Sequence, residues 1–154
     1  EVVRQVLADR EGARFDPIAM QPGGPQGLSS WRDIPVVCLP GNPVSALVSF
    51  VVLLRPVILE AVGRVPVRTS RARLSRAVDS PAGRAQYLRG ALVPDSSAAA
   101  RSAVPSGGDL PVVEPVSGPG SHLVASMARA DVLIEIPADV TSLPAGAEVD
   151  VLPL

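Results

Sequence analysis

Residues 34–63 restrict the fold of this chain more than any other stretch, because they read as a strand, a tight turn and a long apolar helix. The run Val36–Leu39 has the β-branched composition and the length of an interior strand of a parallel sheet. Pro40-Gly41 ends that strand. Asn42 is a preferred N-cap residue, because its side-chain oxygen can accept a hydrogen bond from an amide of the first helical turn. The pattern predicts a rigid corner from strand to helix.

This corner has the chemistry of an anion site. Pro43 falls at the first helical position, where its missing N–H costs nothing, and Ser45 follows in the first turn. The free N–H groups of a helix N-terminus and its partial positive charge attract anions. Gly41 lets a ligand approach the backbone, and the Ser45 hydroxyl can donate to an oxyanion. A capped connection without a ligand would need much the same residues, but two prolines and a glycine around one Asn cap favour the anion site.

The helix after the corner carries a proline. Residues 44–54 are apolar except for two serines, so most of the helix surface should be buried. The run is shorter than the ~20 apolar residues that cross a membrane. Pro56 lacks an N–H and crowds the carbonyl four residues earlier. We therefore expect a kink or a break near Val52–Arg55 and a second helical segment over Val57–Val62.

Composition and charge limit the function classes. A length of 154 residues suits one ordinary domain or two small ones, and with 47% hydrophobic but only 3% aromatic residues the core must consist of Val, Leu, Ile and Ala. The net charge of -1 gives no long-range field towards nucleic acid or a membrane, so we expect neither partner. Cys38 is the single cysteine, expected to be buried, and no disulfide or zinc site is indicated. No signal peptide is recognised, which favours the cytoplasm.

The first 33 residues prepare the corner. The chain starts inside an amphipathic helix whose apolar face is formed by four residues, Val2, Val3, Val6 and Leu7. A strand over Arg14–Met20, a Pro- and Gly-rich loop over residues 21–27 and a short strand over Leu28–Trp31 follow. These strands are too few for a parallel sheet, so the chain reads as the C-terminal portion of a longer protein. Loops after Met20 and Leu39 could line one cleft.

The pattern changes to short strands after Gly63. Frequent turn signals between apolar alternations favour a small β-barrel or sandwich. The candidate strands are Val67–Leu74, Gln86–Val93, Ala103–Pro105, Val112–Val116, Val132–Ile136 and Glu148–Leu152. One helix is expected over Gly120–Arg129. We therefore predict an α/β fold in two parts, with residues 1–64 in a partial three-layer sheet-and-helix domain and residues 65–154 in a small β-barrel domain.

Few side chains of the second part carry chemistry. The dense arginine run consists of Arg64, Arg68, Arg71, Arg73 and Arg76. Nucleic-acid binding would require aromatics or a basic domain, so a solvated strand face is favoured, with RNA binding as the weaker alternative. The single histidine, His122, has no partner cluster for a metal and is expected near the surface. Arg89 precedes a glycine at the expected end of a strand, where it could clamp an oxyanion.

Several motifs together resemble the molybdopterin molybdotransferase family, which includes the bacterial MoeA proteins and the E domains of gephyrin-like proteins. The strongest is Leu39-Pro-Gly-Asn-Pro-Val-Ser-Ala46. Met20-Gln21-Pro22-Gly23 is similar to the family's Met-Lys-Pro-Gly-Lys loop, and Tyr87-Leu88-Arg89-Gly90 to a strand of its barrel domain. Gly120-Ser121-His122-Leu123 with Ala128-Arg129-Ala130-Asp131, and then Leu143-Pro-Ala-Gly146, resemble the late helix and the final hairpin. The order and spacing agree across nearly the whole chain.

The resemblance implies a fold, a reaction and a set of site residues. Residues 1–64 would be the end of the family's third domain, which binds molybdopterin, and residues 65–154 its fourth. The reaction implied is hydrolysis of adenylylated molybdopterin and insertion of molybdate into the dithiolene, assisted by Mg²⁺, in a cytoplasmic homodimer. The implied substrates are therefore molybdopterin-AMP and molybdate. The residues that would bind substrate or molybdate are Pro40, Gly41, Asn42, Pro43, Ser45, Gln21, Gly23, Arg89 and Ser121.

The chain also departs from the family pattern. Gln21 and Gly24 stand where the family has lysines, which weakens the anion site or shifts its selectivity. The family's glycine-rich motif with a metal-holding Asp would precede Glu1, so no catalytic residue and no metal ligand can be assigned. The fragment is therefore expected to be inactive alone, as part of a transferase. The alternative function is a non-catalytic binding or scaffold module of the same fold with a degenerate anion site.

Overall fold

The computed structural model describes residues 2–94, 110–116 and 127–154. Its first part contains α1 (Val2–Leu7), β1 (Met20–Gln21), β2 (Gly27–Trp31), β3 (Ile34–Cys38), α2 (Pro43–Ser49), a π-helical turn (Phe50–Leu54) and α3 (Arg55–Ala61). The strands that follow are β4 (Ser70–Leu74), β5 (Val78–Asp79), β6 (Ala85–Leu92), β7 (Val112–Pro115), β8 (Val132–Ile136), β9 (Ser142–Leu143) and β10 (Glu148–Pro153).

The strand before the corner differs from its prediction. β3 pairs antiparallel with β2 as a hairpin, from Gly27↔Cys38 to Trp31↔Ile34, and these two strands form a sheet of their own. Ile34 is 64% exposed and Val37 42% exposed, so the prediction of a buried interior strand of a parallel sheet was wrong for the described structure. A continuous apolar run has no face preference, so the sequence could not separate the two arrangements.

Two further predictions for the first part need correction. Only Leu7 of the predicted apolar face of α1 is buried, whereas Val2 is 71% exposed. The strand predicted over Arg14–Met20 is reduced to two isolated bridges and the two residues of β1. Pro17 lies in the middle of this segment, and a proline cannot donate to a sheet ladder.

The long helix runs without a break from Pro43 to Ala61. Of the predicted kink or break near Val52–Arg55, the break does not occur: the helix widens there into the π-helical turn, in which the Arg55 amide donates to the Phe50 carbonyl. Such a turn admits one extra residue and commonly occurs where the normal hydrogen-bond ladder is interrupted. Pro56 follows this turn directly, so the lost hydrogen bond is accommodated within a continuous helix.

The continuous helix also changes the membrane argument. The whole helix of 19 residues is long and apolar enough to cross a membrane by length and composition alone, whereas the prediction concerned only the shorter apolar run over residues 44–54. A core helix of a soluble protein meets the same two criteria. Val44, Val48 and Val51 are buried against the barrel. In the most apolar stretch of the helix, 28% is buried inside the structure. The absence of a membrane partner stays a prediction.

The second part is a closed barrel of five strands, which confirms the predicted small barrel. Pairing runs β6–β7–β4–β10–β8 and returns from β8 to β6, so no strand of the ring is left with a free edge. β1 adds to the outside of this ring by pairing in parallel with β6, Met20↔Ala85. The helix predicted over 120–129 lies largely outside the described residues, as does the strand predicted over 103–105.

Two apolar clusters share the barrel wall. The interior is filled by aliphatic side chains such as Leu74, Leu88 and Ile134. The second cluster lies outside the wall and joins three segments: Met20 of β1, Val44, Val48 and Val51 of the long helix, and Tyr87 and Leu133 of the barrel. Arg55 adds a hydrogen bond of 2.7 Å to the Pro153 carbonyl. The start of the helix is therefore fixed directly against β6 and β8.

Candidate functional site

The corner forms as the sequence predicts. Asn42 has an extended backbone, and its Oδ1 accepts hydrogen bonds from the amides of Val44 (3.0 Å) and Ser45 (3.3 Å). Pro43 occupies the first helical turn, where no intrahelical donor is needed. The Asn42 cap satisfies two of the orphan amides itself, so a ligand at this end would contact the remaining polar groups rather than these two.

A glycine-rich loop packs beside the first turns of α2. Gln26 Nε2 donates to the Gly23 carbonyl (2.5 Å) and to Ser49 Oγ (2.6 Å). Ser45 and Ser49 are both buried and four residues apart, so they lie one above the other on a single helix face. The loop 21–27 therefore lies along the face that carries the Ser45 hydroxyl.

Arg89 lies on the outer face of the barrel wall. Residues of β6 alternate between the interior and the outer wall. Leu88 belongs to the interior cluster, and a side chain at Gly90 would also point inward, since a Cβ there would lie 2.6 Å from Val113 Cγ2. Tyr87 belongs to the outer cluster with the helix, which places Arg89 on that outer face. Arg89 lies in mid-strand, not at the strand end that was predicted.

Burial sets the electrostatics of this face. Arg89 is only 3% exposed, and its burial lowers the pKa of its guanidinium. An arginine nevertheless keeps its charge in proteins, so the outer face of the barrel carries a buried positive group opposite Leu133. Beside it, Tyr87 donates a 3.2 Å hydrogen bond to Glu135. Burial first, and then the charge and hydrogen bond of Glu135, raise the pKa of Tyr87 to about 12, which keeps the phenol a donor at neutral pH.

The predicted site residues fall into two neighbouring groups. Gly23 lies against the long helix at Ser49, one turn from the buried Ser45, whereas Arg89 is buried on the barrel wall opposite Leu133 of the outer cluster. Pro40 and Gly41 instead line a cleft of about 770 Å³ on the hairpin side. The cleft wall is completed mainly by α1, the segment 15–17 and the end of β3, and it reaches the loop at Gln26 and Gly27. The two groups therefore meet at the corner and at the loop.

The remaining predicted residues have definite positions or lie outside the described chain. Gln21 is half-buried and pairs through its backbone with Gln86 of β6. Cys38 is half-exposed and lines the cleft, so the prediction of a buried thiol was wrong. Ser121 and His122 lie outside the described residues.

The arginine run lies on the barrel surface. Arg71 and Arg73 are exposed and both form ion pairs with Glu148, at 3.3 and 3.5 Å, and Arg71 also pairs with Asp150. Exposed pairs of this kind stabilise little, but they offset the positive charge of the run. The solvated strand face that was predicted is confirmed for these two residues.

The implied Mg²⁺ does not fit the described residues. Within residues 2–94, 110–116 and 127–154, no three His, Cys, Asp or Glu side chains come together as a metal site. Magnesium requires oxygen ligands, usually one or two carboxylates beside waters and substrate phosphates. No chemical step is therefore derived through a metal held by this part of the chain.

Sequence reasoning missed Gln26, Ser49 and the Tyr87–Glu135 pair. The spacing of Ser45 and Ser49 could have shown a common polar face within an apolar helix. Nothing in the sequence could pair Gln26 with Ser49, because 23 residues separate them and the contact depends on how the loop folds back.

Comparisons with known proteins agree on one family. A family model described as the MoeA C-terminal region (domain IV) matches residues 71–154, which is more than half of the chain. Two proteins of Mycobacterium tuberculosis named molybdopterin molybdenumtransferase 2 and 1 are 39% and 38% identical over 91% and 98% of the chain. The chain spans about a third of their length, 32% and 35%.

Solved structures support the same assignment. A molybdopterin biosynthesis MoeA protein of Pyrococcus horikoshii, 34% identical, superposes on 97% of this chain with a TM-score of 0.71, which corresponds to 34% of that structure. A molybdenum cofactor biosynthesis protein of Pyrococcus furiosus, 22% identical over 93% of this chain and 46% of its own, has the same fold with a TM-score of 0.68. The chain belongs to the MoeA family and carries that family's C-terminal region, the barrel domain IV.

Proposed function

We propose that this chain is part of a molybdopterin molybdotransferase in molybdenum cofactor biosynthesis and that its own contribution is an oxyanion site for molybdate. Residues 1–64 then belong to the end of the family's α/β domain III, and residues 65–154 form domain IV. The family membership and the names of the M. tuberculosis relatives support this assignment. Because the chain covers about a third of those relatives, the insertion reaction requires parts of the protein beyond this segment.

The observation that carries the proposal is the convergence of three distant segments on the start of α2. The outer apolar cluster packs Met20, Val44 and Tyr87 together, and the proposed site residues Gly23, Ser45 and Arg89 lie within three residues of these along the chain. A tetrahedral dianion is bound well by hydroxyl donors, a guanidinium and a helix N-terminus. The hydroxyl and the helix N-terminus both come from α2 and the guanidinium comes from β6, so the proposed site depends on the packing of these two elements.

Each group has a separate task. The guanidinium of Arg89 supplies the positive charge in a low-dielectric wall, where electrostatic attraction exceeds that in water. Ser45 donates a hydroxyl hydrogen bond, and Asn42 and Pro43 fix the first turn of α2 that presents it. The backbone at Gly23 and the half-buried Gln21 close the side formed by the loop. Pro40 and Gly41 face the adjoining cleft, which is large enough for part of an organic substrate such as molybdopterin-AMP.

The uncharged residues of the loop limit the affinity of this site for an anion. Gln21 and Gly24 bring no positive charge, so Arg89 is the charged contributor among the proposed residues that the structure describes. We expect weaker binding than in family members with two lysines and no insertion activity by the segment alone. In the intact protein, Ser121, Mg²⁺ ligands from elsewhere and a homodimer partner complete the arrangement. A cytoplasmic location is part of the same proposal.

Calorimetric titration with molybdate tests the site directly. We expect the wild-type chain to bind, and Ser45→Ala to lower the affinity about tenfold or more, because one hydrogen bond to a charged group contributes about 1.5–3 kcal/mol. Arg89→Gln should lower it further. Ser30→Ala is the matched control, since Ser30 is exposed on β2, and it should bind as the wild type does. Equal affinity for wild type and Ser45→Ala would contradict the role of Ser45.

A binding or scaffold module of the same fold is the second candidate function. The replacement of both loop lysines by Gln21 and Gly24 favours it, since these changes remove charge without altering the loop's glycine-rich backbone. In that case the chain would bind neither molybdate nor molybdopterin, and neither Ser45→Ala nor Arg89→Gln would change any titration.

A further inference from the structure

The strongest polar contact between the glycine-rich loop and the long helix is made by Gln26. Its amide nitrogen donates at once to the carbonyl of Gly23 in its own loop (2.5 Å) and to Ser49 Oγ on α2 (2.6 Å). Ser49 is fully buried and Gln26 half-buried, so these hydrogen bonds are shielded from competing water. One side chain therefore ties the loop to itself and to the helix.

The fit at this contact leaves no room for the loop to move closer. Gly23 has φ +112, and a Cβ at that position would lie 2.7 Å from Ser49 Oγ and 3.1 Å from Met20 Cε. The loop backbone thus lies directly against the helix at the level of Ser49. Ser45 lies one helical turn earlier on the same face. A shift of the loop at Gly23 would therefore change the space beside the Ser45 hydroxyl.

We propose that Gln26 is a positioning residue of the oxyanion site: by clamping Gly23 to Ser49, it fixes the loop at the distance from Ser45 at which an oxyanion is bound. This inference rests on the proposed function. Gln26 itself does not touch the anion. In a loop with charged residues, the bound anion would help to hold the loop in place. This loop has Gln21 and Gly24 instead, and the hydrogen bonds of Gln26 hold it in place.

The main variant is Gln26→Met, which keeps the length and bulk of the side chain and removes both donated hydrogen bonds. We expect its dissociation constant for molybdate to rise about tenfold, as is typical when a group that orients a binding residue is lost. Hydrogen exchange at the amides of Gly23, Gly24 and Gly27 should become faster in the same variant. Gln5→Met is the matched control, because Gln5 is exposed on α1, and it should change neither quantity.

A double-mutant cycle separates positioning from a general loss of stability. Ser49→Ala removes the acceptor on the helix, and if the clamp acts through Ser49, adding Ser49→Ala to Gln26→Met should weaken binding less than the two single effects combined. A merely structural role would lower the melting temperature and speed loop exchange while leaving the molybdate affinity unchanged. That result would overturn the inference, as would unchanged loop exchange in Gln26→Met.

The outcome for the wild type distinguishes this inference from the function on which it rests. If the wild-type chain does not bind molybdate, the proposed function fails and the positioning role fails with it. If the wild type binds and Gln26→Met binds equally well, only the positioning role is wrong. Binding by the wild type with a selective loss in Gln26→Met supports both.

Discussion

Strand β6 shows how single residues divide this barrel wall between packing and chemistry. Its inward positions, Leu88 and Gly90, complete the interior, and Gly90 has no space for a Cβ because Ile134 would lie 2.9 Å away. Its outward positions, Tyr87 and Arg89, are buried polar groups, and Tyr87 packs in the outer cluster with the long helix. Because successive residues alternate sides, these four consecutive residues serve both the core and the proposed site.

Tyr87 gives a pH dependence that can be measured without interference from other tyrosines, since it is the only one in the chain. Its pKa is raised from 10.0 to about 12, so the fold favours the protonated phenol. The raised pKa therefore contributes to the stability of the folded state. This contribution is complete below pH 10 and is lost as the pH rises from 10 towards 12. In Tyr87→Phe, the part of the decrease in unfolding free energy between pH 10 and 12 that comes from Tyr87 should be absent. Denaturant unfolding at a series of pH values measures it.

Absorbance titration of the same residue checks the cause. Glu135→Gln should lower the pKa of Tyr87 only in part, because burial is the larger contribution and the Glu135 charge the smaller. A pKa of 10 in the wild type would show that the phenol is not buried against the helix.

Some residue roles were accessible from the sequence and others were not. The cap at Asn42 follows from local chain chemistry, which extends over four residues, and it is confirmed by two hydrogen bonds. The Gln26–Ser49 contact depends on a long-range fold of the loop, and the burial of Tyr87 depends on the helix packing against its strand. Neither can be read from neighbouring residues.

Among the elements, the long helix determines how the site is presented. Asn42 fixes its start, and the π-helical turn at Phe50–Leu54 allows it to continue past Pro56. The apolar stripe Val44–Val48–Val51 therefore stays in register with the barrel wall, while the serine face at Ser45 is turned to the loop. A break, one of the two predicted alternatives, would have separated the second segment from the first.

Loss of the cap tests the role of the helix start. Asn42→Ala should lower the free energy of unfolding by about 1 kcal/mol, since two amide hydrogen bonds of the first turn lose their acceptor. Asn42→Ser retains an N-cap oxygen and should remain close to the wild type. The measurement is chemical denaturation followed by circular dichroism, and equal loss in both variants would argue against capping.

At the same scale, the barrel strands were predicted more reliably than the hairpin. β8 was placed at its observed limits, and β10 to within one residue, because turn signals flank the short apolar run of β8 and apolar residues alternate in β10. β3 offered only a continuous apolar run, which does not show its partner or its burial. The short strands β5 and β9, two residues each, carry no recognisable pattern.

For the whole molecule, the outer apolar cluster is the feature that connects sequence, fold and proposed function. It joins the loop strand, the long helix and the barrel through Met20, Val48 and Leu133, of which the last two are fully buried. The site groups at Ser45 and Arg89 sit on the elements that this cluster packs together. The family and the barrel could be predicted from motifs and strand patterns, whereas this junction required the three-dimensional structure.

The central claim is that a molybdate ion binds where these three elements meet, and crystals of the chain grown with molybdate test it most directly. Anomalous diffraction at the molybdenum absorption edge locates the metal without reference to the protein map. The account predicts a single strong molybdenum peak beside Ser45 and the Arg89 guanidinium. The oxygens of that molybdate ion should lie about 3 Å from the Ser45 and Arg89 donor atoms. A peak only at the exposed arginines of the barrel surface, or no peak at saturating molybdate, would contradict it.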